Sequence, residues 1–413
     1  MKKKLLGIIL ASCMSMTLLA GCGSGSSKST TGSGDSSKSS HGGTLTFWTN
    51  MEVEADALQE LGDEWGKENG YTVKVIHQSP SVQEFAQAAK SKDGPDAVVG
   101  IPNDQLADYI NAGLAQETPS DLYKDEDFSD AAVQASYVDG KRYAEPISVE
   151  TNSLFVNTDL VKDVPKTWED LVAGAKDIGG VQFDATSIYY DLGFVRAEGG
   201  YIFKYADGKY DVNDIGLNND GAVKAYEFIN SLCNDYKYVS ADMTADIARS
   251  NFQNGKCAYY IGGAWDLSGF DEAGTHYKVV EMPTFNGQPF VTPVGTQVSF
   301  VSSKTDKSDA AWKFINYVST QGAKKLYEVG KRIPARLSEQ QDDTITGDET
   351  TAAFIAQINH GEPMPTVSEM GQLWDIHTNN IKSMWSGELT PQQAADNIVK
   401  QLKEAIELMD SGK

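Results

Sequence analysis

The stretch TLTFWTNMEVEADALQELGDEWGKENGYTVKV, residues 44–75, decides the fold class of this chain. Polar and apolar residues alternate over its first five positions, which predicts a β-strand. Leu58, Leu61 and Trp65 then recur at spacings of three and four residues, which predicts a helix with one apolar face. The alternation returns over the last five positions. The stretch is therefore predicted to form a β-α-β unit.

Similar patterns continue along the chain. The apolar-spaced segment 85–89 leads through a Gly-Pro-Asp turn into the short apolar run 97–99, which is typical of a strand buried in a parallel sheet. Thr167, three residues before an acid, predicts a helix N-cap, and Thr390 before Pro391 predicts the start of a terminal helix. The apolar face of that helix is predicted to comprise Ala395, Ile398, Leu402 and Ile406. Together these patterns predict an α/β fold.

Length and charge narrow the possible functions. The chain has 413 residues, enough for two or three domains, and 40% of them are hydrophobic, so it can bury a core. Acidic residues number 58 and basic residues 35, which gives a net charge of −23. Nucleic-acid binding depends on Lys and Arg contacts to phosphates. The charge therefore argues against DNA or RNA as a partner.

The N-terminal region is predicted to be a targeting and anchoring segment. Three lysines precede an apolar stretch that is too short for a comfortable transmembrane helix, which predicts a signal peptide over residues 1–21. The ending LAGC resembles the lipobox of bacterial lipoproteins, in which cleavage leaves Cys22 as a lipidated N-terminal residue. Residues 22–43 are mostly Gly, Ser and Thr and predict a flexible tether. We expect a lipid anchor on the extracytoplasmic face of the cell membrane.

Signatures of catalysis and metal binding are missing from residue 44 onward. The sequence contains no P-loop, GxGxxG, HExxH or GxSxG motif there, and its histidines lack metal-ligand spacing. No catalytic residue, metal site or cofactor is therefore predicted. Cys233 and Cys257 are predicted to be two buried free thiols, although a disulfide between them stays open.

Aromatic residues give the positive signal for function. Several lie beside glycines or turns rather than on helical core stripes, namely in the Tyr189-Tyr190 pair, in GGAW at 262–265 and in MGQLW at 370–374. A sugar ring stacks its C–H face on an aromatic ring, while its hydroxyl groups donate hydrogen bonds to carboxylates. An acidic chain rich in such aromatics fits a neutral polyol ligand.

The chain resembles the periplasmic-type solute-binding proteins of ABC importers, and among them the maltose/maltodextrin-binding proteins. The resemblance runs from residue 44 to the C-terminus. The motifs that carry it, in order, are GPD at 94–96, PISVE at 146–150, PKTWE at 165–169, GGYIFKY at 199–205, DGKYD at 207–211, MPTF at 282–285 and GEPMP at 361–365.

The resemblance implies two discontinuous α/β lobes joined by a hinge, with the ligand captured in the cleft between them as the lobes close. Lobe one is expected to comprise residues 44–148 and 298–343. Lobe two is expected to comprise residues 153–293 and the C-terminal helices in residues 349–413.

The resemblance also implies a set of ligand-binding residues. Three aromatics are expected to stack on sugar rings and three acids to accept their hydroxyl groups: Tyr189, Trp265, Trp374, Glu52, Asp104 and Glu150. The remaining tryptophans after the tether are predicted to lie in the core: Trp48, Trp65, Trp168, Trp312 and Trp385.

The chain also departs from the family pattern. Two family aromatics are replaced, one by Gly100 or Ile101 and one by Ala245. The family's basic residues near the acids are replaced by Val53 and Gln105, and its late arginine by Thr378. These losses fall mainly on lobe one, so we expect selectivity to rest on the three acids.

The expected function is that of a monomeric, lipid-anchored and non-catalytic receptor that delivers maltose/maltodextrin-type oligosaccharides to an ABC permease. Three alternatives remain open. In the first alternative the ligand is another oligosaccharide. In the second it is a cationic small molecule, such as a polyamine, held by the same acids and aromatics. The least favoured alternative is a secreted carbohydrate-active enzyme, which would need two carboxylates flanking one glycosidic bond.

Overall fold

The computed structural model describes residues 42–79, 81–91, 94–206 and 209–411. Its strands are β1 Thr44–Thr49, β2 Thr72–His77, β3 Ala97–Pro102, β4 Tyr137–Val138, β5 Lys141–Arg142, β6 Glu145–Glu150, β7 Asn152–Asn157, β8 Val181–Gln182, β9 Tyr201–Ala206, β10 Lys209–Gly216, β11 Tyr259–Gly263, β12 Tyr277–Val280, β13 Pro293–Val301, β14 Ile333–Pro334 and β15 Glu362–Pro363. Its α-helices are α1 Ala55–Asn69, α2 Val82–Ala88, α3 Leu106–Asn111, α4 Asp130–Ala135, α5 Trp168–Gly174, α6 Ile188–Ala197, α7 Asp220–Asn234, α8 Ala245–Gln253, α9 Leu267–Glu272, α10 Ser308–Ser319, α11 Ala323–Gly330, α12 Asp343–Thr346, α13 Glu349–Ile358, α14 Met370–Trp385 and α15 Pro391–Ser411.

Lobe one is built around a seven-stranded sheet in the order β14-β6-β13-β3-β1-β2, with β15 paired to β13. The predicted β-α-β unit is confirmed, because β1 and β2 pair in parallel and α1 buries Leu58, Leu61 and Trp65. The strand at 97–99 is also confirmed and pairs in parallel with β1. Helices cover both faces of this sheet, so even Thr46 and Thr49 of β1 are buried.

The Gly-Pro-Asp turn before β3 has a structural role. Asp96 is 4% exposed and accepts hydrogen bonds from the Thr46 backbone N–H at 2.8 Å and from Lys307 Nζ at 3.0 Å. A side chain at Gly94 would place its Cβ 2.2 Å from the carbonyl oxygen of Ala88, so the close approach of α2 to this turn requires glycine.

Lobe two is built around a smaller sheet in the order β12-β7-β11-β8, beside a separate β9-β10 hairpin. The predicted caps are confirmed here: Thr167 Oγ1 accepts from the Asp170 backbone N–H at 3.1 Å, and α15 begins at Pro391. The four predicted apolar residues of α15 are all buried, and they belong to the large lobe-two core around Trp168 and Trp385.

The chain passes directly from one sheet to the other at Thr151, between β6 and β7, and returns between β12 and β13. These two passages lie side by side, because Thr151 Oγ1 donates to the Pro293 carbonyl at 2.8 Å. The strand β15 pairs beside the second passage, since the Glu362 N–H donates to the Thr292 carbonyl at 3.0 Å. The residue boundaries of the lobes given in the sequence analysis remain a prediction.

The tryptophans predicted as core are all buried, with exposures of 8% or less: Trp48, Trp65, Trp168, Trp312 and Trp385. Cys233 of α7 is half-buried, whereas Cys257, just before β11, is fully buried among Phe155, Phe252 and Tyr260. Both thiols are free, as favoured from the sequence, but the prediction that both are buried is wrong for Cys233. Cys22 and the tether up to residue 41 lie outside the described residues.

Candidate ligand-binding site

The three predicted stacking aromatics lie on three elements of lobe two. Tyr189 is in the first turn of α6, Trp265 follows the end of β11, and Trp374 is in the first half of α14. All three are half-buried, unlike the tryptophans of the core. The ring centroids of Tyr189 and Trp265 are 6.2 Å apart, with their planes at 56°. Tyr189 and Trp265 therefore present partly open rings where α6 and β11 meet.

The backbone around Trp265 is shaped by one glycine and one buried acid. A Cβ at Gly263 would lie 2.2 Å from the Trp265 ring, so the indole can lie over this strand end only because residue 263 is glycine. Asp266 is 1% exposed and accepts from Tyr260 Oη at 2.9 Å, from the Gly263 N–H at 3.2 Å and from Arg249 Nε at 2.7 Å. These bonds fix the turn that carries Trp265.

Asp104 of lobe one lies against this aromatic face. It is in the short 3-10 turn Asn103–Gln105 that follows β3, and the Trp374 indole N–H donates to its carboxylate. Burial raises the pKa of Asp104 to about 6, and the negative charges of Asp108 and Glu150 add to the rise. Burial also raises the pKa of Tyr189, with contributions from Glu150 and Asp104. Asp104, Glu150, Tyr189 and Trp374 therefore share one site between the lobes.

Glu150, at the end of β6, is held by two neighbours from lobe one. Its Oε1 accepts from Gln297 Nε2 at 2.9 Å, and its Oε2 accepts from Arg332 Nη1 at 2.7 Å. Arg332 Nε also donates to Glu54 Oε1 at 2.7 Å, and Glu54 is only 1% exposed. The three residues form a partly buried Glu-Arg-Glu chain whose outer carboxylate faces the candidate site.

Arg332 and Gln297 were not predicted as site residues. The two family bases replaced by Val53 and Gln105 are still absent, but Arg332 supplies a guanidinium directly beside Glu150. The placement follows from strand pairing: Ile333 of β14 lies opposite Val149 of β6. No feature of the sequence marked this position, because the same Gly-Lys-Arg triplet also occurs at 140–142.

Glu52 is placed differently from the other predicted residues. It is exposed, in the loop between β1 and α1. Within the described residues it takes part in no ion pair, and the buried acid of this loop is Glu54. The structure thus brings together five of the six predicted ligand residues and leaves Glu52 on the surface of lobe one.

Asn103 connects lobe one to the segment that leads into α14. Its Nδ2 donates to the Met364 carbonyl at 3.1 Å and to Thr366 Oγ1 at 2.8 Å, while its Oδ1 accepts from the Thr296 N–H at 3.1 Å. Asn103 is 1% exposed, so these bonds are shielded from water. They fix the position of the segment before α14, which carries Trp374, relative to Asp104.

Two neighbouring cavities of about 470 Å³ and 520 Å³ lie elsewhere. They share the lining residues Gln134, Tyr205 and Tyr210, so they run between α4 and the β9-β10 hairpin. Neither is lined by the three stacking aromatics. Within the described ranges, no cluster of three or more His, Cys, Asp or Glu residues could hold a metal ion, and no helix is long and apolar enough to cross a membrane.

Two α/β lobes with aromatic rings on one and acidic side chains on the other define the class of two-lobed binding proteins. Residues 60–353 match the family described as bacterial extracellular solute-binding protein. Because this match covers most of the chain, the chain belongs to that family, and the resemblance stated from the sequence is confirmed.

Several similar proteins are named after oligosaccharides. The galactooligosaccharide-binding protein of Bacillus subtilis (strain 168) is 30% identical over 100% of both chains. The maltodextrin-binding protein MdxE of the same organism is 30% identical over 86% of this chain and 88% of its own. A maltooligosaccharide ABC transporter solute-binding lipoprotein of Streptococcus pneumoniae is 29% identical over 84% of this chain and 86% of its own.

Two solved structures are similar to the whole described body. The maltose-maltodextrin binding protein of Alicyclobacillus acidocaldarius superposes with a TM-score of 0.81 and 28% identity, over 87% of this chain and 100% of that chain. A cyclo/maltodextrin-binding protein complexed with maltotetraose gives a TM-score of 0.81 and 27% identity, over 89% and 98%. The predicted two-lobed α/β fold is thereby confirmed.

Proposed function

We propose that this protein is a lipid-anchored receptor that captures maltose/maltodextrin-type oligosaccharides by lobe closure and delivers them to an ABC permease. The observation that carries the proposal is the placement of Tyr189, Trp265 and Trp374 beside Asp104 and Glu150. Open aromatic rings bind the C–H faces of sugar rings, and the neighbouring carboxylates accept hydrogen bonds from the hydroxyl groups.

The position of the site between the lobes supports capture by closure. Trp374 belongs to lobe two and Asp104 to lobe one, yet the indole N–H reaches the carboxylate. A sugar that contacts both residues gains interactions only when the lobes are together, so it favours the closed arrangement. The solute-binding family and the names of its transporter relatives support delivery to a permease.

The guanidinium of Arg332 argues against a cationic ligand. It lies 2.7 Å from Glu150 and offsets the negative charge that a polyamine would need at this position. A neutral oligosaccharide has no such conflict. Maltodextrin is favoured by the sequence resemblance, and galactooligosaccharide is the second candidate because a relative of that name matches the full length of the chain.

Competition between glucose and maltotriose tests the maltodextrin assignment, with tryptophan fluorescence reporting closure. Glucose can occupy one stacking position only, so we expect it to bind at least about tenfold more weakly, a difference of about 1.4 kcal/mol. Trp265→Phe and Trp374→Phe identify the reporting rings. Equal affinity for both sugars, or no response to either, would contradict the assignment, and parallel titrations with galactooligosaccharides identify the second candidate.

Membrane anchoring is tested separately, because Cys22 lies outside the described residues. Cys22→Ser removes the thiol that lipid attachment needs, so the variant is expected in the soluble fraction. The matched control is Cys233→Ser, which leaves the lipobox intact and should stay with the membrane. Unchanged membrane association of Cys22→Ser would refute the anchor.

A glycoside hydrolase is the rival function, and one observation favours it. Asp104, whose pKa is raised to about 6, has the protonation behaviour of a general acid. A hydrolase also needs a second carboxylate across the glycosidic bond, whereas both oxygens of Glu150 already accept hydrogen bonds from protein groups. Incubation with maltotriose and analysis of the products decides the matter, since a receptor releases neither maltose nor glucose.

A further inference from the structure

A buried acid and a buried histidine connect the two helices that carry stacking aromatics. Asp191 lies two residues after Tyr189 in α6, and His377 lies one turn after Trp374 in α14. Both side chains are 0% exposed, and His377 Nε2 is 3.9 Å from Asp191 Oδ2. Ligand binding as described above uses neither residue.

The hydrogen bond on the far side of the imidazole fixes its protonation. His377 Nδ1 is 3.0 Å from the Thr186 carbonyl oxygen. A carbonyl oxygen can only accept, so Nδ1 carries the proton and donates. In the neutral ring, Nε2 then has a lone pair and no proton. That lone pair faces the Asp191 carboxyl group.

Two acceptors facing each other in a dry interior repel, and one proton between them would remove that repulsion. Among the described residues, neither Asp191 oxygen nor His377 Nε2 has a hydrogen-bond partner. No Lys or Arg of the described chain forms an ion pair with Asp191. The separation of 3.9 Å is longer than a hydrogen bond, so a shared proton requires the two side chains to move closer together.

We propose that Asp191 and His377 share a single buried proton, carried mainly by Asp191, and that this bond is what positions Tyr189 relative to Trp374. The two residues are positioning residues that need not touch the ligand. The second part of the proposal rests on the proposed sugar-binding function, whereas the shared proton does not.

The electrostatics of the surroundings agree with this assignment. Burial raises the pKa of Asp191 well above its usual range, and the negative charge of Asp184, in the loop before α6, raises it further. Burial lowers the pKa of His377 to about 4, although the Thr186 carbonyl acts in the opposite direction. From α7, Tyr226 faces the pair as a neutral phenol, because burial and Asp191 raise its pKa. These shifts favour a protonated acid facing a neutral imidazole.

An asparagine is the natural test substitution, since its amide donates one proton and accepts at the other atom, as a protonated Asp191 does. Asp191→Asn should keep maltotriose affinity within about twofold of the wild type. Asp191→Leu has similar volume and no donor, so it should lower the affinity at least fivefold. Val195→Ala, later in α6, is the control that removes buried methyl groups and should lower stability without changing the affinity.

The deciding measurement is the ¹⁵N spectrum of the imidazole rings in the full chain at pH 7, with the His377 signals assigned from their loss in His377→Gln. We expect a neutral ring protonated at Nδ1 in the wild type and in Asp191→Asn. An imidazolium, or a ring protonated at Nε2, would overturn the shared proton. An affinity loss in Asp191→Asn equal to that in Asp191→Leu would overturn the positioning role.

The sugar titrations keep this proposal separate from the proposed function. A wild-type protein that binds none of the oligosaccharides refutes the receptor assignment and with it the positioning role, while the ring spectrum still decides the shared proton.

Discussion

The two faces of the candidate site are built by different physical means. On lobe two, Tyr189, Trp265 and Trp374 are set by helix starts, by a glycine that leaves space for an indole, and by packing on the largest core of the molecule. On lobe one, Asp104 is held by its 3-10 turn and by the Trp374 indole N–H, and Glu150 by hydrogen bonds from Gln297 and Arg332. One face is held by packing, and the other by hydrogen bonds and one ion pair.

This difference assigns different tasks to the two faces. Aromatic stacking contributes area and C–H contacts, which depend little on pH or salt. Carboxylates distinguish hydroxyl positions and respond to pH, because a buried acid without its partner is costly. We therefore expect changes in lobe two to alter affinity, and changes in lobe one to alter stability, selectivity and pH dependence.

Arg332→Ala should have the largest effect, and on stability. It leaves Glu54, which is 1% exposed, as an unpaired buried charge, so we expect a loss of about 3–5 kcal/mol in the free energy of unfolding. Urea denaturation measures this loss. Lys324→Ala removes a surface pair with Asp342 and should cost less than about 1 kcal/mol. Equal losses in both variants would mean that charge does not hold the lobe-one face.

Trp265→Ala should weaken maltotriose binding by about 1–3 kcal/mol while the protein stays folded, because the ring is half-buried and stacks rather than fills a core. Titration calorimetry measures the affinity and circular dichroism the folded state. Trp312→Phe, in the lobe-one core, is the matched control and should lower stability but not affinity. Unfolding of Trp265→Ala would instead make Trp265 a core residue.

Asp104→Asn should separate stability from binding. The folded-state pKa of Asp104 is raised to about 6 from an ordinary 3.8, so its contribution to stability is full below about pH 4 and is lost as the pH rises through 6. The variant should therefore be more stable than the wild type at pH 7.5 by about 3 kcal/mol, and nearly equal to it at pH 3.5. Its sugar affinity should fall at pH 7.5. Thermal unfolding at the two pH values checks the sign, and a constant difference would contradict it.

Glu52→Gln should have the smallest effect. The carboxylate is exposed, so a hydrogen bond from a sugar hydroxyl to it competes with water and should contribute about 0.5 kcal/mol. Calorimetry at low salt is the measurement. Glu68→Gln, on the exposed end of α1, is the control and should change nothing. A loss above about 1.5 kcal/mol would show that Glu52 is enclosed when the sugar binds.

Features set by residues close together in the sequence could be predicted, whereas contacts between residues far apart in the chain could not. Local sequence determines the β-α-β unit at 44–75, the Thr167 cap and the apolar face of α15, and all three were confirmed. The contact of Arg332 with Glu150 spans 182 residues and depends on the register of a two-residue strand. No local pattern fixes such a register. The meeting of α6 and α14 at Asp191 and His377 was missed for the same reason.

The different burial of Cys233 and Cys257 allows thiol modification to measure how often the core around Cys257 unfolds. Burial raises the pKa of the Cys257 thiol to about 12, so in the folded state almost none of it is the reactive thiolate. Half-buried Cys233 is reachable by small alkylating reagents without unfolding of the core around Phe155 and Phe252. The rate at which Cys257 is modified therefore reports how often that core unfolds. If a bound sugar slows the modification of Cys257 but not that of Cys233, the slowing measures how much the sugar stabilises the folded protein.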